Sequence, residues 1–263
     1  MLAHTCLSCR TGVLALIALL TAGSPRVGAD TVSEYQHLLK SRSDALVSVK
    51  FVLKRGDAER EMEIMGIVVD ATGVVLCSSL QLGTSPLMQM TGGTATPTDV
   101  KVLIGDDTDG LEAKLVSRDS ELDLAWIRIK EPGDRKFAFL DLAQSARPKP
   151  GERLLSLGRM SKYYDRAVVV TEGRMSGVTR KPREMYIPGA ALEGEPGRPV
   201  FSASGELVGI VILSIPDPED MDPVSLRRDA AALILPSAEV AKATQRALQN
   251  AEADESKSAT TKP

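Results

Sequence analysis

The feature that most constrains this chain is a succession of short β-branched or alternating apolar runs, punctuated by turn residues and gathered in two sets. Leu46 to Leu53, Glu61 to Asp70 and Val74 to Ser78 are separated by the polar clusters KRGDAERE and DATG, the pattern of strands joined by turns. Val100 to Ile104, the turn GDDTDG, Glu112 to Ser117 and Leu124 to Ile129 complete the first set. A connector, EPGDRKFAFLDLAQSARPKPG, has little periodicity and three prolines. The second set is Arg153 to Leu157, Ala167 to Thr171, Arg174 to Thr179, Pro199 to Ser202 and Glu206 to Ile215, with Ser204-Gly205 as a hairpin turn. Runs this short and this closely spaced point to an antiparallel barrel or sandwich, not to βαβ units.

Both ends of the chain read differently. At the start, Arg10, the apolar run Val13 to Leu20 and the small-residue pattern Val27-Gly28-Ala29 form an export signal cleaved before Asp30. The apolar run is short for a spanning helix, which needs roughly 20 residues, and an uncleaved anchor over Thr11 to Gly23 is the lesser alternative. Export places the protein in a periplasmic or secreted location. Cleavage removes Arg10 and Arg26 and no acid, so 32 basic against 35 acidic residues becomes 30 against 35. That mild acidity, without a basic stripe, excludes nucleic acid as a partner. Cys6 and Cys9 leave with the signal, so Cys77 has no mate for a disulfide, and the fold must hold by core packing.

A short amphipathic helix is expected over Thr31 to Ala45, with Ser33 as its N-cap and His37 on its polar flank. A second helix begins at Ser237, with Val240, Ala243, Thr244 and Leu248 on the face that packs back across the strands. The residues AEADESKSATTKP are expected to fray. The chain thus divides into a signal (1–29), a helical segment (30–45), a first β unit (46–130), a connector (131–150), a second β unit (151–236), a helix (237–251) and a disordered tail (252–263). The acids of GDDTDG lack the remaining ligands of a calcium loop, and no metal or cofactor is expected.

Six blocks, in order, resemble the protease domain of the HtrA/DegP family of exported trypsin-like serine proteases. MGIVVDATGVVLCSSLQL is similar to the strands leading to the catalytic histidine, and SRDSELDLAWIRIK to the block of the catalytic aspartate. GERLLSLGRM and VVVTEGRMSGVTR resemble the next strands, GEPGRPVFSASGELVGIVI the nucleophile loop and hairpin, and AALILPSAEVAKATQRAL the closing strand and helix. The resemblance covers about Leu46 to Leu248. It implies an all-β fold of two antiparallel six-stranded β-barrels, flanked by the N-terminal and C-terminal helices. No PDZ-like segment follows the terminal helix in this sequence.

On that resemblance, the histidine position falls on Leu80, the aspartate on Asp123 and the serine on Pro196. Leucine cannot take a proton, and proline offers neither a hydroxyl nor a backbone N–H. The family's oxyanion donors would be the nucleophile's own N–H and that of Gly194, so one is gone. Arg198 stands where the family has glycine, and Pro188 where it has an acid. Ser78, Ser79, Ser202 and Ser204 offer hydroxyls in other registers, but neither block holds an imidazole. Lys162 and Lys181 have no motif tying them to a serine, and Cys77 lacks a base. Asp123 is expected to find backbone donors or Ser78 or Ser79, or its pKa will rise.

The leading functional reading is therefore a pseudoprotease of the cell envelope that binds a peptide or protein partner. Its strand edge at Val211, Ile212, Leu213 and Ser214, with Arg198 beside it, is the candidate binding surface. The alternatives are an active endopeptidase with an unrecognised site, and a scaffold or assembly subunit whose partner is an active protease homologue or another copy in an oligomer. Contact with a membrane is expected only if the signal stays uncleaved.

Overall fold

The structure is a computed structural model, and it describes residues 27–55, 58–83, 96–215 and 230–260. Twelve strands form two closed barrels. The first contains β1 (Leu46–Arg55), β2 (Ala58–Asp70), β3 (Val74–Ser78), β4 (Pro97–Leu103), β5 (Leu111–Asp119) and β6 (Leu124–Ile129), joined in the order β1-β2-β3-β6-β5-β4. The second contains β7 (Arg153–Arg159), β8 (Val168–Val178), β9 (Tyr186–Pro188), β10 (Pro199–Ser202), β11 (Leu207–Ser214) and β12 (Ala231–Pro236), joined in the order β10-β11-β12-β9-β8-β7. All pairings are antiparallel, as turns of a few residues require. Helix α1 (Val27–Arg42) precedes the barrels and α2 (Ser237–Thr260) follows them.

The continuous apolar runs in β3 and β6 follow from the two packed units. Successive side chains on a strand point to opposite faces. On β3, Val75 and Cys77 point into the first barrel while Val74 and Leu76 face outward. On β6, Ala125, Ile127 and Ile129 point inward while Leu124 and Trp126 face outward. The outward set meets Leu155, Leu157, Phe201, Ile210 and Ile212 of the second barrel in one shared layer. Both faces of these strands are buried, so neither can alternate with polar residues.

The helices seal that layer. Val240, Ala243 and Ala247 of α2 are buried in it, and Thr244 accepts the Trp126 indole N–H at 3.0 Å. A buried indole without such an acceptor would carry a desolvation penalty. Helix α1 contributes the buried Leu38. It is tied to the second barrel by Tyr35 O–H, which donates to Glu172 at 2.8 Å, and by Arg153, which pairs with both Glu34 and Glu172.

Four elements differ from the sequence expectation. The runs Ala167 to Thr171 and Arg174 to Thr179 are one strand, β8, because Gly173 makes no turn there. A Cβ at Gly173 would lie 2.6 Å from the Leu192 side chain, so the glycine makes room for a close neighbour. Strand β9 has only three residues, one a proline, and gives no periodic signal. Helix α1 starts at Val27, which puts Ser33 inside it, and ends in a 3₁₀ turn at Ser43–Ala45. Helix α2 runs to Thr260, so most of the tail expected to be disordered from residue 252 is helical. The stretch AEADESKS is rich in helix-favouring Ala, Glu and Lys and holds no Gly or Pro. The signal lies outside the described residues except for 27–29, which fall within α1.

One close approach fixes β11, the strand that reaches the junction. A Cβ at Gly209 would lie within van der Waals contact of the Leu235 carbonyl oxygen on β12, where backbone cannot yield cheaply. Gly209→Ala is expected to destabilise the protein by about 1–3 kcal/mol, read as a lowered denaturation midpoint with an unchanged m-value. An unaltered midpoint would show that β11 and β12 are not so closely packed.

Candidate functional site

Where the two barrels meet, register decides what lies together. Ser78, the last residue of β3, pairs with Leu124, the first of β6. That pairing sets Asp123 opposite Ser79 and Leu80, and Ser79 N–H donates to the Asp123 carbonyl at 3.2 Å. Asp123 takes φ +53°, a left-handed conformation that aspartate tolerates better than most residues. The turn points its carboxylate inward, where only 4% of the residue is exposed.

Each carboxylate oxygen is satisfied by the chain itself. Asp123 Oδ1 accepts from Ser78 Oγ at 2.9 Å and from Leu80 N–H at 2.8 Å, while Oδ2 accepts from Leu213 N–H at 3.1 Å. Two donors come from the first barrel and one from the second. Burial pushes the carboxyl above its usual range, and the hydrogen bonds from Leu80, Leu213, Ser78 and Ser79 offset part of that rise. Burial and the nearby Asp123 charge push the Cys77 thiol up as well. It is a buried strand residue near the Ala125 carbonyl, with no access to the thiolate a nucleophile needs.

The loop facing Asp123 from the second barrel is folded on itself. A 3₁₀ turn at Ala190–Leu192 ends with Gly194 N–H donating to the Leu192 carbonyl at 2.8 Å. Pro196 follows with no N–H to offer. Gly197, at φ +92°, lies close enough to Ser78 that a Cβ there would sit 3.6 Å from its nitrogen, and its N–H donates to the Val211 carbonyl at 2.7 Å. Val211 N–H in turn donates to the Arg198 carbonyl at 2.8 Å.

Among the proposed edge residues, both backbone groups of Val211 and the N–H of Leu213 are therefore committed within the chain. Leu213 lies on that same edge, while Ile212 and Ser214 face β12 by strand alternation.

Arg198 doubles back from this loop. Its guanidinium packs on Gly158 of β7 and against Gly194, so closely that a Cβ at Gly158 would occupy its position. Burial lowers its pKa, with the Glu195 charge partly opposing. The guanidinium lines a cleft of about 740 Å³ between the barrels, together with Ile64, Gln81, Arg159, Met160 and Tyr164.

The cleft wall is braced by contacts that sequence reasoning missed. Arg166 donates to Glu63 through Nε at 2.7 Å and Nη2 at 3.1 Å, and Arg159 donates to the carbonyls of Leu46 and Gly105 at 3.0 and 2.6 Å. Burial alone would raise the Glu63 pKa, but the Arg166 hydrogen bonds hold it below the usual carboxylate range. Arg166 and Glu63 are 103 residues apart, so no local pattern could announce them.

His37 is exposed on α1, on the polar flank expected of it, and shares a second, smaller hollow with Ser204 and Gly205. That turn lies at the opposite end of β10 from Pro196, about 13 Å of extended chain away. Ser204 Oγ spends its hydrogen bonds on Ser202 and Glu206. Among the described residues, no three His, Cys, Asp or Glu side chains gather as a metal site requires. No helix among them is long and apolar enough to cross a membrane.

Residues 64–210 match the family described as "Trypsin-like peptidase domain". The chain belongs to that family. Among curated proteins it is 30% identical over 112 residues to a probable periplasmic serine endoprotease DegP-like of Rhizobium meliloti (strain 1021), covering 41% of this chain and 22% of that one. It is 27% identical over 164 residues to a protein of the same description from Pseudomonas fluorescens, covering 59% of this chain and 30% of that one. It thus spans under a third of those relatives' length. A solved structure, Deg5, shares the fold with TM-score 0.57 at 19% identity, over 80% of this chain and 92% of that one.

These matches support an HtrA/DegP-like trypsin-fold lineage. The structure brings Leu80 to Asp123 and the Gly197 backbone, next to Pro196, close to Ser78. Leu80 supplies a backbone N–H to Asp123 where the resemblance would place an imidazole.

Replacing Asp123 by Asn puts an amide donor against one of the N–H groups that Asp123 now accepts. Leaving that donor unpaired is expected to cost about 1–3 kcal/mol of stability. The wild-type advantage also depends on pH. A carboxyl raised in the folded state holds its proton while the unfolded one loses it, so its contribution is largest below the unfolded pKa, near 3.9, and declines as pH rises through the folded pKa. Chemical denaturation should show a smaller gap between wild type and Asp123→Asn at pH 7 than at pH 4, and a gap that widens with pH contradicts this assignment.

Proposed function

We propose that this chain is a proteolytically inactive trypsin-fold protein of the cell envelope that holds a peptide, or a peptide-like segment of a partner protein, in the cleft between its barrels. The observation that carries the reading is the commitment of Asp123. Its oxygens accept from Ser78, Leu80 and Leu213, none of which offers a base, and the residue beside it is leucine. In trypsin-fold catalysis a hydroxyl must pass its proton to a base, and the oxyanion must meet preorganised N–H donors. Here Pro196 has no N–H, and that of Gly194 is bonded to its own loop. Losing one oxyanion donor typically costs about 10²–10³ in rate even with the triad intact.

Binding has no such requirement. The cleft is open and mixes apolar and polar lining, and an extended peptide can be held through main-chain N–H and carbonyl groups. Strand-edge recognition uses such groups without catalytic side chains. An envelope location is supported by the leader and by the description of the relatives as periplasmic.

Two measurements test this. A fluorophosphonate probe is expected to leave the purified protein unlabelled, and stable labelling of any serine would replace this reading with that of an active endopeptidase. Calorimetry with peptides from unfolded proteins is expected to show binding that weakens roughly fivefold or more in Met160→Ala, which strips apolar wall from the cleft. Absence of binding across a diverse peptide set removes the peptide-holding role.

A further inference from the structure

Among the described residues, Arg198 differs from the other arginines at the cleft in having no partner within the chain. Arg166 is paired with Glu63, and Arg159 donates to two carbonyls. Among the described residues, the Arg198 guanidinium makes no hydrogen bond or ion pair, although it is partly withdrawn from water between Gly158 and Gly194. Glu193 and Glu195 stand exposed on the rim, where water screens them. Gln81 Oε1, also on the cleft wall, is buried without a hydrogen-bond partner among the described residues. A half-buried guanidinium thus lines the cleft, and an unused amide oxygen lies buried in the same wall. The first is a planar fork matched to a carboxylate, and the second accepts an N–H.

Resting on the peptide-holding reading above, we propose that the cleft selects peptides bearing a carboxylate, which Arg198 grips while the Gln81 side chain, rotated out of its wall, offers Oε1 to a backbone N–H of the same peptide. The carboxylate belongs either to a peptide C-terminus or to an internal Asp or Glu. Geometry supports a dedicated seat. Gly158 leaves space in which the guanidinium packs against β7, and a Cβ there would collide with it. An unpaired, partly desolvated cation gains more from an incoming anion than an exposed one does. The acids on the rim favour basic residues flanking the gripped carboxylate.

The test uses the full chain and fluorescence anisotropy with three versions of one short basic peptide: free C-terminus, C-terminal amide, and C-terminal amide with one internal Glu. A free acid or internal Glu that binds roughly ten- to a hundredfold tighter than the plain amide supports the inference and identifies the carboxylate's source. Arg198→Gln is expected to abolish the preference. Gly158→Ala keeps every charge but displaces the guanidinium, and it should abolish the preference likewise, so a folding defect in one variant leaves the other decisive. Equal binding of all three peptides, or a preference that survives in both variants, overturns carboxylate selection while the cleft reading stands. Failure of every peptide to bind removes both.

Discussion

A carboxylate buried where two barrels meet must be satisfied from both sides, or folding would leave it charged and unsolvated. Asp123 meets that demand through Ser78 and Leu80 of one barrel and Leu213 of the other. The bond to Leu213 joins residues 90 apart in sequence, and it holds the end of β11 against the first barrel. The Gly197–Val211–Arg198 pairings follow from that placement, because the strand so anchored is the one that captures the loop bearing Pro196. Asp123 thus serves as a pin between the two barrels.

This arrangement is self-consistent in a way that a merely damaged enzyme need not be. Leucine at position 80 needs no polar partner and leaves its N–H for Asp123. Proline at position 196 has no N–H to leave unpaired, and Gly194 turns its own N–H into the loop. Arg198 fills space over Gly158 that a shorter residue would leave empty. The stability of the fold lies elsewhere, in barrel interiors such as Val49, Phe51 and Ile127 and in the shared layer around Trp126 and Phe201. A fold held by those layers keeps its shape whatever chemistry the junction carries, and fold alone does not fix function.

Much of the architecture was legible because strand periodicity and turn residues report on local geometry. The six strands of the first barrel, the hairpin at Ser204-Gly205 and the helix from Ser237 all follow from such patterns. The break expected in β8 was not there, since Gly173 looks like a turn residue in sequence but serves a close contact with Leu192. Strand β9 was too short to show a period. At the junction, the need of Asp123 for backbone donors was readable from the loss of histidine. That Leu213 would be one of them was not, because it depends on how the two barrels dock. The inward turn of Gly194 and the brace of Arg166 on Glu63 were hidden for the same reason, being pairings made only in three dimensions.

The central claim is that Asp123 is a carboxylate shared between the barrels, held by the amides of Leu80 and Leu213. An NMR pH titration that follows those two amide protons tests it most directly. The account predicts that both are protected from solvent exchange and that their shifts move together, with one midpoint above the ordinary aspartate range. Amides that exchange freely, or that titrate with different midpoints, would contradict it.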